Sequence, residues 1–404
     1  MRFVRTLAVL AAVVAPLAAA CGGGDGKPYQ PNEDPKPTPP PAADDAGTTK
    51  LDAAAPPWCK DAEGVYEAKR QTGNVLLLVD RSGSMQIKLS NNTDTRWTAT
   101  KRGLTDLLAS LPSTTRAGAM MFPQGDKPIT CCGISPTLND VKCSCANGEL
   151  PGVMPRCDTK TYKAPIPVAD LTSQQGADIL AYVSSSDKEF YWGTPLAPAL
   201  ASAVDMQKAA KLTGTKSVIL LTDGYPTSCD TAQNPTANDI QHVVDAAMGG
   251  VLGQGDLVRT FVMGVIDGTK GAKPEHLSKI AQAGGTARYQ GCENTNDCFY
   301  ALNAQTFSQD IKKAFQEIAL QAFDCAFDMP PPEQGTTSDL SKVNVLLVDQ
   351  NGQTALSRDT NHQNGWDYLP NNKQVQLYGA ACSAVTANEK AHVQIVVGCK
   401  TQGQ

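Results

Sequence analysis

An unbroken apolar run, Val75 to Val79, leads straight into Asp80-Arg81-Ser82-Gly83-Ser84. A strand with no polar alternation must be covered on both faces, as in a parallel sheet flanked by helices. A second such run, Ser217-Val218-Ile219-Leu220-Leu221, ends in Thr222-Asp223-Gly224. Both runs stop abruptly at small polar residues, and the carboxyl ends of strands are where open α/β sheets bind ligands. These two strands constrain the fold more than any other feature.

Residues around them alternate between strand and helix patterns, which argues for an α/β fold with a doubly wound, mostly parallel sheet. Trp97, Leu104, Leu107, Leu108 and Leu111 fall at helical spacing, and Pro112 stops that helix. Ala117 to Phe122 reads as a short strand and Ala177 to Val183 as a helical segment. Further helices are expected over Pro195 to Leu212, Ile240 to Leu252, Glu275 to Ala283 and Phe307 to Phe323, with a buried strand from Val258 to Ile266.

Asp80, Ser82 and Ser84 offer one carboxylate and two hydroxyls, and Gly83 permits the sharp turn that lets them converge. Hard oxygen donors of this kind suit Mg²⁺ or a similar cation. Taken alone the motif also fits a polar turn capping the next helix. Tyr191-Trp192-Gly193-Thr194-Pro195-Leu196 and Thr222-Asp223-Gly224 follow in order, each beside its own helix or strand. Together these three stretches resemble the von Willebrand factor type A family and its metal-ion-dependent adhesion site, over roughly Asn74 to Gln321. The resemblance implies metal ligation by Asp80, Ser82, Ser84, Thr194 and Asp223. It implies a divalent cation, Mg²⁺ first and Mn²⁺ or Ca²⁺ as alternatives, with an open position for a partner's Asp or Glu. By position, residues 86–96, the segment after Pro123 and residues 225–229 would surround it. Arg81 and Met85 are not expected to be ligands, and Met85 is expected to pack beneath the site.

The ends of the chain read differently. Arg2 and Arg5 precede an apolar stretch, Leu7 to Leu17, too short to span a bilayer, so residues 1–20 are expected to be a secretory signal. Ala18-Ala19-Ala20-Cys21 resembles a lipobox, which makes Cys21 the candidate lipidation site. The usual Leu three positions before the Cys is replaced by Ala18. Gly22 is not the Asp that retains lipoproteins at the inner membrane, which by analogy favours an outer-membrane lipoprotein. Residues 21–57 are rich in Pro, Gly, Ala and Asp and are expected to be a disordered tether.

Thirteen cysteines in a secreted chain imply disulfides. Cys292 and Cys298 flank a short polar loop and are candidates to pair. Cys131, Cys132, Cys143, Cys145 and Cys157 crowd a long insertion at about 123–164, where an odd count asks for an outside partner, Cys59 or Cys229. A zinc site is the rival reading of that cluster. Residues 58–324 are expected to form the type A domain. Residues 325–404 show period-two alternation (Val343, Val345 and Leu347; Val393, Ile395 and Val397) and read as a small C-terminal β-rich module stapled by Cys325, Cys382 and Cys399.

The net charge of −5, with no basic stripe interleaved with aromatics, argues against a nucleic-acid partner. His242, His276, His362 and His392 are scattered, and no nucleophile–base motif or phosphate-cradling loop is present. The expectation is a cell-surface adhesion or protein-binding lipoprotein of the bacterial envelope, not an enzyme. It would grip a partner's acidic side chain through a divalent cation and sit on the membrane through its lipid. The alternatives are a structural envelope component holding only a structural ion, or an accessory subunit of an enzyme machine.

Overall fold

The computed structural model describes residues 48–402 except 53–54, 69–70, 90–93, 112–114, 125–131, 135–140, 144–156, 188–190, 192, 227–236, 254, 267–271, 304, 320, 322–324, 333–337 and 389. The expected signal and Cys21 lie outside the described residues, as does the expected tether up to residue 47; against the expectation of disorder as far as residue 57, Thr48–Lys50 is a strand, held by antiparallel pairing with Tyr66–Ala68. Among the described residues no helix is long and apolar enough to cross a membrane.

Two short strands, β1 (Thr48–Lys50) and β2 (Gly64–Ala68), come first. The core that follows runs β3 (Gly73–Asp80), α1 (Arg96–Ser110), β4 (Arg116–Phe122), the small hairpin β5 (Cys132–Ile134) and β6 (Val141–Cys143), β7 (Ile166–Asp170), α2 (Ser173–Ser184) and α3 (Leu196–Ala209). It continues with β8 (Thr215–Thr222), α4 (Ala237–Leu252), β9 (Val258–Ile266), α5 (Pro274–Ala283), β10 (Tyr300–Asn303) and α6 (Phe307–Ala319). The six-stranded sheet has the order β10-β9-β8-β3-β4-β7. All neighbours in it are parallel except β7, which runs antiparallel to β4 at the edge. Residues of β7 are only half-buried or exposed, so no continuous apolar run announced this strand in the sequence.

Every residue of β3 and of β8 is buried, as the apolar runs required. Val75, Leu77 and Val79 of β3 pack with α1, α2 and α6 through Trp97, Ile179 and Ile311. Leu76 and Leu78 face the other way, toward Leu200 of α3, Val243 of α4 and Ile280 of α5. This period-two division puts helices on both faces of the sheet. From β3 the chain crosses to β4 on one side, and from β8 it crosses to β9 on the other. The crossovers therefore diverge between β3 and β8, which makes the carboxyl ends of these two strands the switch point of the sheet.

After α6 the chain forms β11 (Ala326–Asp328), β12 (Val343–Asp349), β13 (Gly352–Leu356), β14 (Gly365–Tyr368), β15 (Gln374–Tyr378), α7 (Gly379–Ala387) and β16 (His392–Val397). Two antiparallel sheets result, one ordered β1-β2-β16-β12-β13 and the other β11-β15-β14. Residues 58–72, grouped by sequence with the type A region, thus supply a strand to the β-rich part: β2 pairs with β16, Val65 opposite Val396. The reason is local. β2 is half-polar, with Tyr66 and Glu67 partly or fully exposed, and suits a one-sided antiparallel sheet better than the buried parallel one. Val345, Trp366, Val375, Leu377, Val393 and Ile395 fill the core between the two sheets. The helix α7 was not anticipated from the alternating pattern.

The cysteines staple this arrangement. Cys292 bonds Cys298, and Cys325 bonds Cys382 within the β-rich part. Cys59 bonds Cys399 across 340 residues, so it is not the outside partner of the Cys-rich insertion, and Cys399 joins the two ends of the described chain. Cys157 is also disulfide-bonded. Cys132 and Cys143 are backbone partners in the antiparallel register of β5 and β6. Cys131, Cys145 and Cys229 lie outside the described residues.

Candidate metal centre

Asp80, the last residue of β3, is fully buried. Its Oδ1 accepts the backbone N–H of Ser82 at 2.8 Å, and its Oδ2 accepts the hydroxyl of Thr222 at 2.6 Å. Thr222 ends β8, so the carboxylate is held jointly by the ends of the two diverging strands. Beyond Asp80 the chain turns into a 3-10 helix, Gly83–Gln86, whose geometry sets the next two hydroxyls side by side. Ser82 Oγ and Ser84 Oγ lie 3.0 Å apart, and Ser84 Oγ donates to Asp223 Oδ1 at 2.7 Å. Met85 is fully buried and packs in the core beneath this turn.

The second and third stretches meet the first. Gly83 N–H donates to the carbonyl of Tyr191 at 2.9 Å, which docks the loop before Thr194 onto the serine turn. Thr194 itself is 5% exposed, and its carbonyl accepts the N–H of Leu196 at the start of α3. A Cβ placed on Gly224 would lie 2.9 Å from Thr194 Oγ1, so the absence of a side chain after Asp223 is what lets the threonine hydroxyl approach. Asp80, Ser82, Ser84 and Asp223 thus form one hydrogen-bonded cluster, with Thr194 against its Gly224 edge.

The donor set fits a hard divalent cation. Two carboxylates and three hydroxyls are all oxygen donors, the chemistry preferred by Mg²⁺, Mn²⁺ and Ca²⁺. The electrostatics fit as well. Burial, and next the charge of Asp223, push the Asp80 carboxyl up to about 7, against hydrogen bonds from Thr222 and Ser82 that favour its ionised form. Two buried like charges this close are costly, and a cation between them would relieve that cost.

Two residues of the centre were missed as participants. Arg81 donates Nε to the carbonyl of Pro123 at 2.9 Å and Nη1 to Ser186 Oγ at 3.0 Å. It therefore ties the end of β3 to the loops after β4 and before Thr194. Arg96, expected from its position in the surrounding loop to lie at the rim, is instead fully buried. Its Nη1 lies 2.7 Å from Asp223 Oδ2, with both side chains at 0% exposure. One signal could have found it. An arginine at the first position of a helix faces the positive end of the helix dipole, a poor place for a cation without a nearby carboxylate.

No protein-family model matches the sequence, and no curated protein matches it. Among solved structures, similar chains include a von Willebrand factor type A protein from Catenulispora acidiphila, at 14% identity and a TM-score of 0.38. The pilus adhesin SpaC from Lactobacillus rhamnosus GG matches at 14% identity and a TM-score of 0.40. Proximal thread matrix protein 1 from the mussel byssus, described with a zinc-occupied MIDAS motif, matches at 14% identity and 0.37. The matches cover 84%, 87% and 62% of this chain but only 61%, 42% and 48% of those chains.

Proposed function

We propose that this chain is a protein-binding module of the cell envelope that grips an acidic side chain of its partner through a divalent cation. Asp80, Ser82, Ser84, Thr194 and Asp223 would hold the cation, with Mg²⁺ favoured and Mn²⁺ or Ca²⁺ as substitutes. The cation supplies a positive charge at which a carboxylate can be recognised. The observation that carries this reading is the cluster at the switch point, where two fully buried carboxylates, Asp80 and Asp223, converge with the hydroxyls of Ser82 and Ser84 and with Thr194 at its edge. Arg81 ties together the segments around the cluster. Lipidation at Cys21 and an outer-membrane address belong to the same proposal, and nucleic acid is not a proposed partner.

A second reading, a structural ion with no metal-dependent partner, draws on the Arg96–Asp223 pair, which already compensates one of the two buried carboxylates. Calorimetric titration of Mg²⁺, Mn²⁺ and Ca²⁺ into the disulfide-bonded chain, beside Asp80→Ala, separates these readings from no site at all. Saturable binding lost in the variant supports a cation site. Capture of an acidic peptide that requires the cation then supports the first reading, and cation binding with no such capture supports the second. Absence of cation binding in the folded chain overturns both.

A further inference from the structure

Asp223 is divided between two partners. Its Oδ1 receives the hydroxyl of Ser84, one of the proposed ligands, and its Oδ2 receives the guanidinium of Arg96. The Arg96 backbone N–H donates to the carbonyl of Ile87, 3.0 Å away, which anchors the first turn of α1 beside the serine turn. The helix start is capped by the side-chain oxygen of Thr95, and a guanidinium, which only donates, could not serve there. Its charge is also placed where the helix dipole opposes it. A buried charge at that position must be paired, and Asp223, at 2.7 Å, pairs it.

We propose that Arg96 is a positioning residue and built-in counter-ion of the cation site. It neutralises Asp223 from the side away from Ser84 and commits one of its oxygens. The inference rests on the reading of the cluster as a divalent-cation site and deepens it. With Arg96 in place the two carboxylates and the guanidinium leave a single net negative charge. A bound divalent cation then makes the centre net positive, and a carboxylate from outside restores neutrality. Without Arg96 the two carboxylates would neutralise the cation by themselves. Arg96 therefore weakens binding of the cation alone and makes it depend on an acidic ligand, which couples metal occupancy to partner capture.

The test is Mn²⁺ titration of the full disulfide-bonded chain as wild type, Arg96→Gln and Arg96→Lys, each with and without glutarate as a small carboxylate probe. Removing one like charge within a few ångströms changes the affinity for a charged species by about tenfold or more. Arg96→Gln is expected to bind Mn²⁺ at least about tenfold tighter than wild type in the absence of glutarate. Glutarate should tighten wild-type binding and leave Arg96→Gln little changed, while Arg96→Lys should behave as wild type. A purely structural role would lower the melting temperature without tightening Mn²⁺ binding. Equal or weaker Mn²⁺ binding by Arg96→Gln, with wild type still binding, overturns the counter-ion role alone. No Mn²⁺ binding by either protein overturns the cation reading and this inference with it. Should Arg96→Gln fail to fold, the wild-type response decides, and Mn²⁺ affinity indifferent to glutarate overturns the proposal.

Discussion

The guanidinium of Arg81 lies over the ring of Tyr191, 3.9 Å from its centroid, and so joins the residue after Asp80 to the loop that presents Thr194. The same side chain reaches Pro123 and Ser186, and Asp187, next to Ser186, accepts the indole N–H of Trp97 at 2.9 Å. One arginine therefore ties the end of β3 to Pro123 after β4 and to Ser186 and Tyr191 ahead of Thr194.

Arg81→Ala should loosen that brace while leaving the sheet intact. The stacked contact alone is worth about 0.5–2 kcal/mol. Cation affinity measured by calorimetry should fall by about tenfold, and the circular dichroism spectrum should not change. Arg81→Lys should not rescue it, because an ammonium cannot reproduce the planar fork that serves Pro123, Ser186 and the ring together. Full rescue by Lys would show that charge, not geometry, is what the site needs there.

Gly224→Ala tests the approach of Thr194. The added methyl would sit 2.9 Å from Thr194 Oγ1, closer than van der Waals contact permits, and the buried threonine has little room to retreat. Overpacking of this kind costs about 1–3 kcal/mol. The expected result is a modestly lowered melting temperature with a larger loss of cation affinity. Unchanged affinity would remove Thr194 from the ligand set.

How much of this was legible in the sequence follows from what each residue does. Asp80, Ser82, Ser84 and Asp223 stand at the ends of unbroken apolar strands, so burial and position marked them together. The helices α4 and α5 were legible because their apolar residues repeat at helical spacing, and the strand β9 because its run is buried almost throughout. β7 and β2 were not, because an edge strand or a half-solvated strand needs only part of that pattern. The roles of Arg81 and Arg96 were hidden for a different reason. A charged residue reads as surface from composition, and only the fold reveals that Arg96 meets a carboxylate 127 positions away. The pairing of Cys59 with Cys399 is a property of which strands share a sheet, which no spacing rule encodes.

That pairing yields a further prediction. Cys59 precedes β2 and Cys399 follows β16, and the two strands are hydrogen-bonded neighbours in the five-stranded sheet. Replacing both cysteines by serine removes a link that closes most of the chain into one loop, and loss of such a native bridge costs about 2–5 kcal/mol. Hydrogen exchange should show faster opening of Gly64–Ala68, while cation affinity stays at the wild-type value because the site residues lie in the other sheet. Uniform destabilisation of β3 and β8 to the same degree as β2 would show that the two parts unfold as one unit.

The pH dependence of the cation-free chain has a defined sign. Burial and the neighbouring charge of Asp223 raise the Asp80 carboxyl from 3.8 to about 7. Between these values the folded state holds a proton that the unfolded state has released, so this group's contribution to stability falls as pH rises through about 7 and is fully present only below 3.8. His276 works against it, since burial lowers its pKa below 6.5 and stability is lost as pH falls through that range. The two effects separate by comparison with Asp80→Asn, which keeps His276 and removes the titrating carboxyl. In chelator, the stability of wild type relative to Asp80→Asn should decline from pH 5 to pH 8 in urea denaturation. Saturating Mn²⁺ should reverse that decline for wild type alone, because a cation in the cluster favours the ionised carboxylate. A parallel pH profile for the two proteins in chelator would mean that Asp80 does not titrate in this window, and that the cluster tolerates two buried charges without a cation.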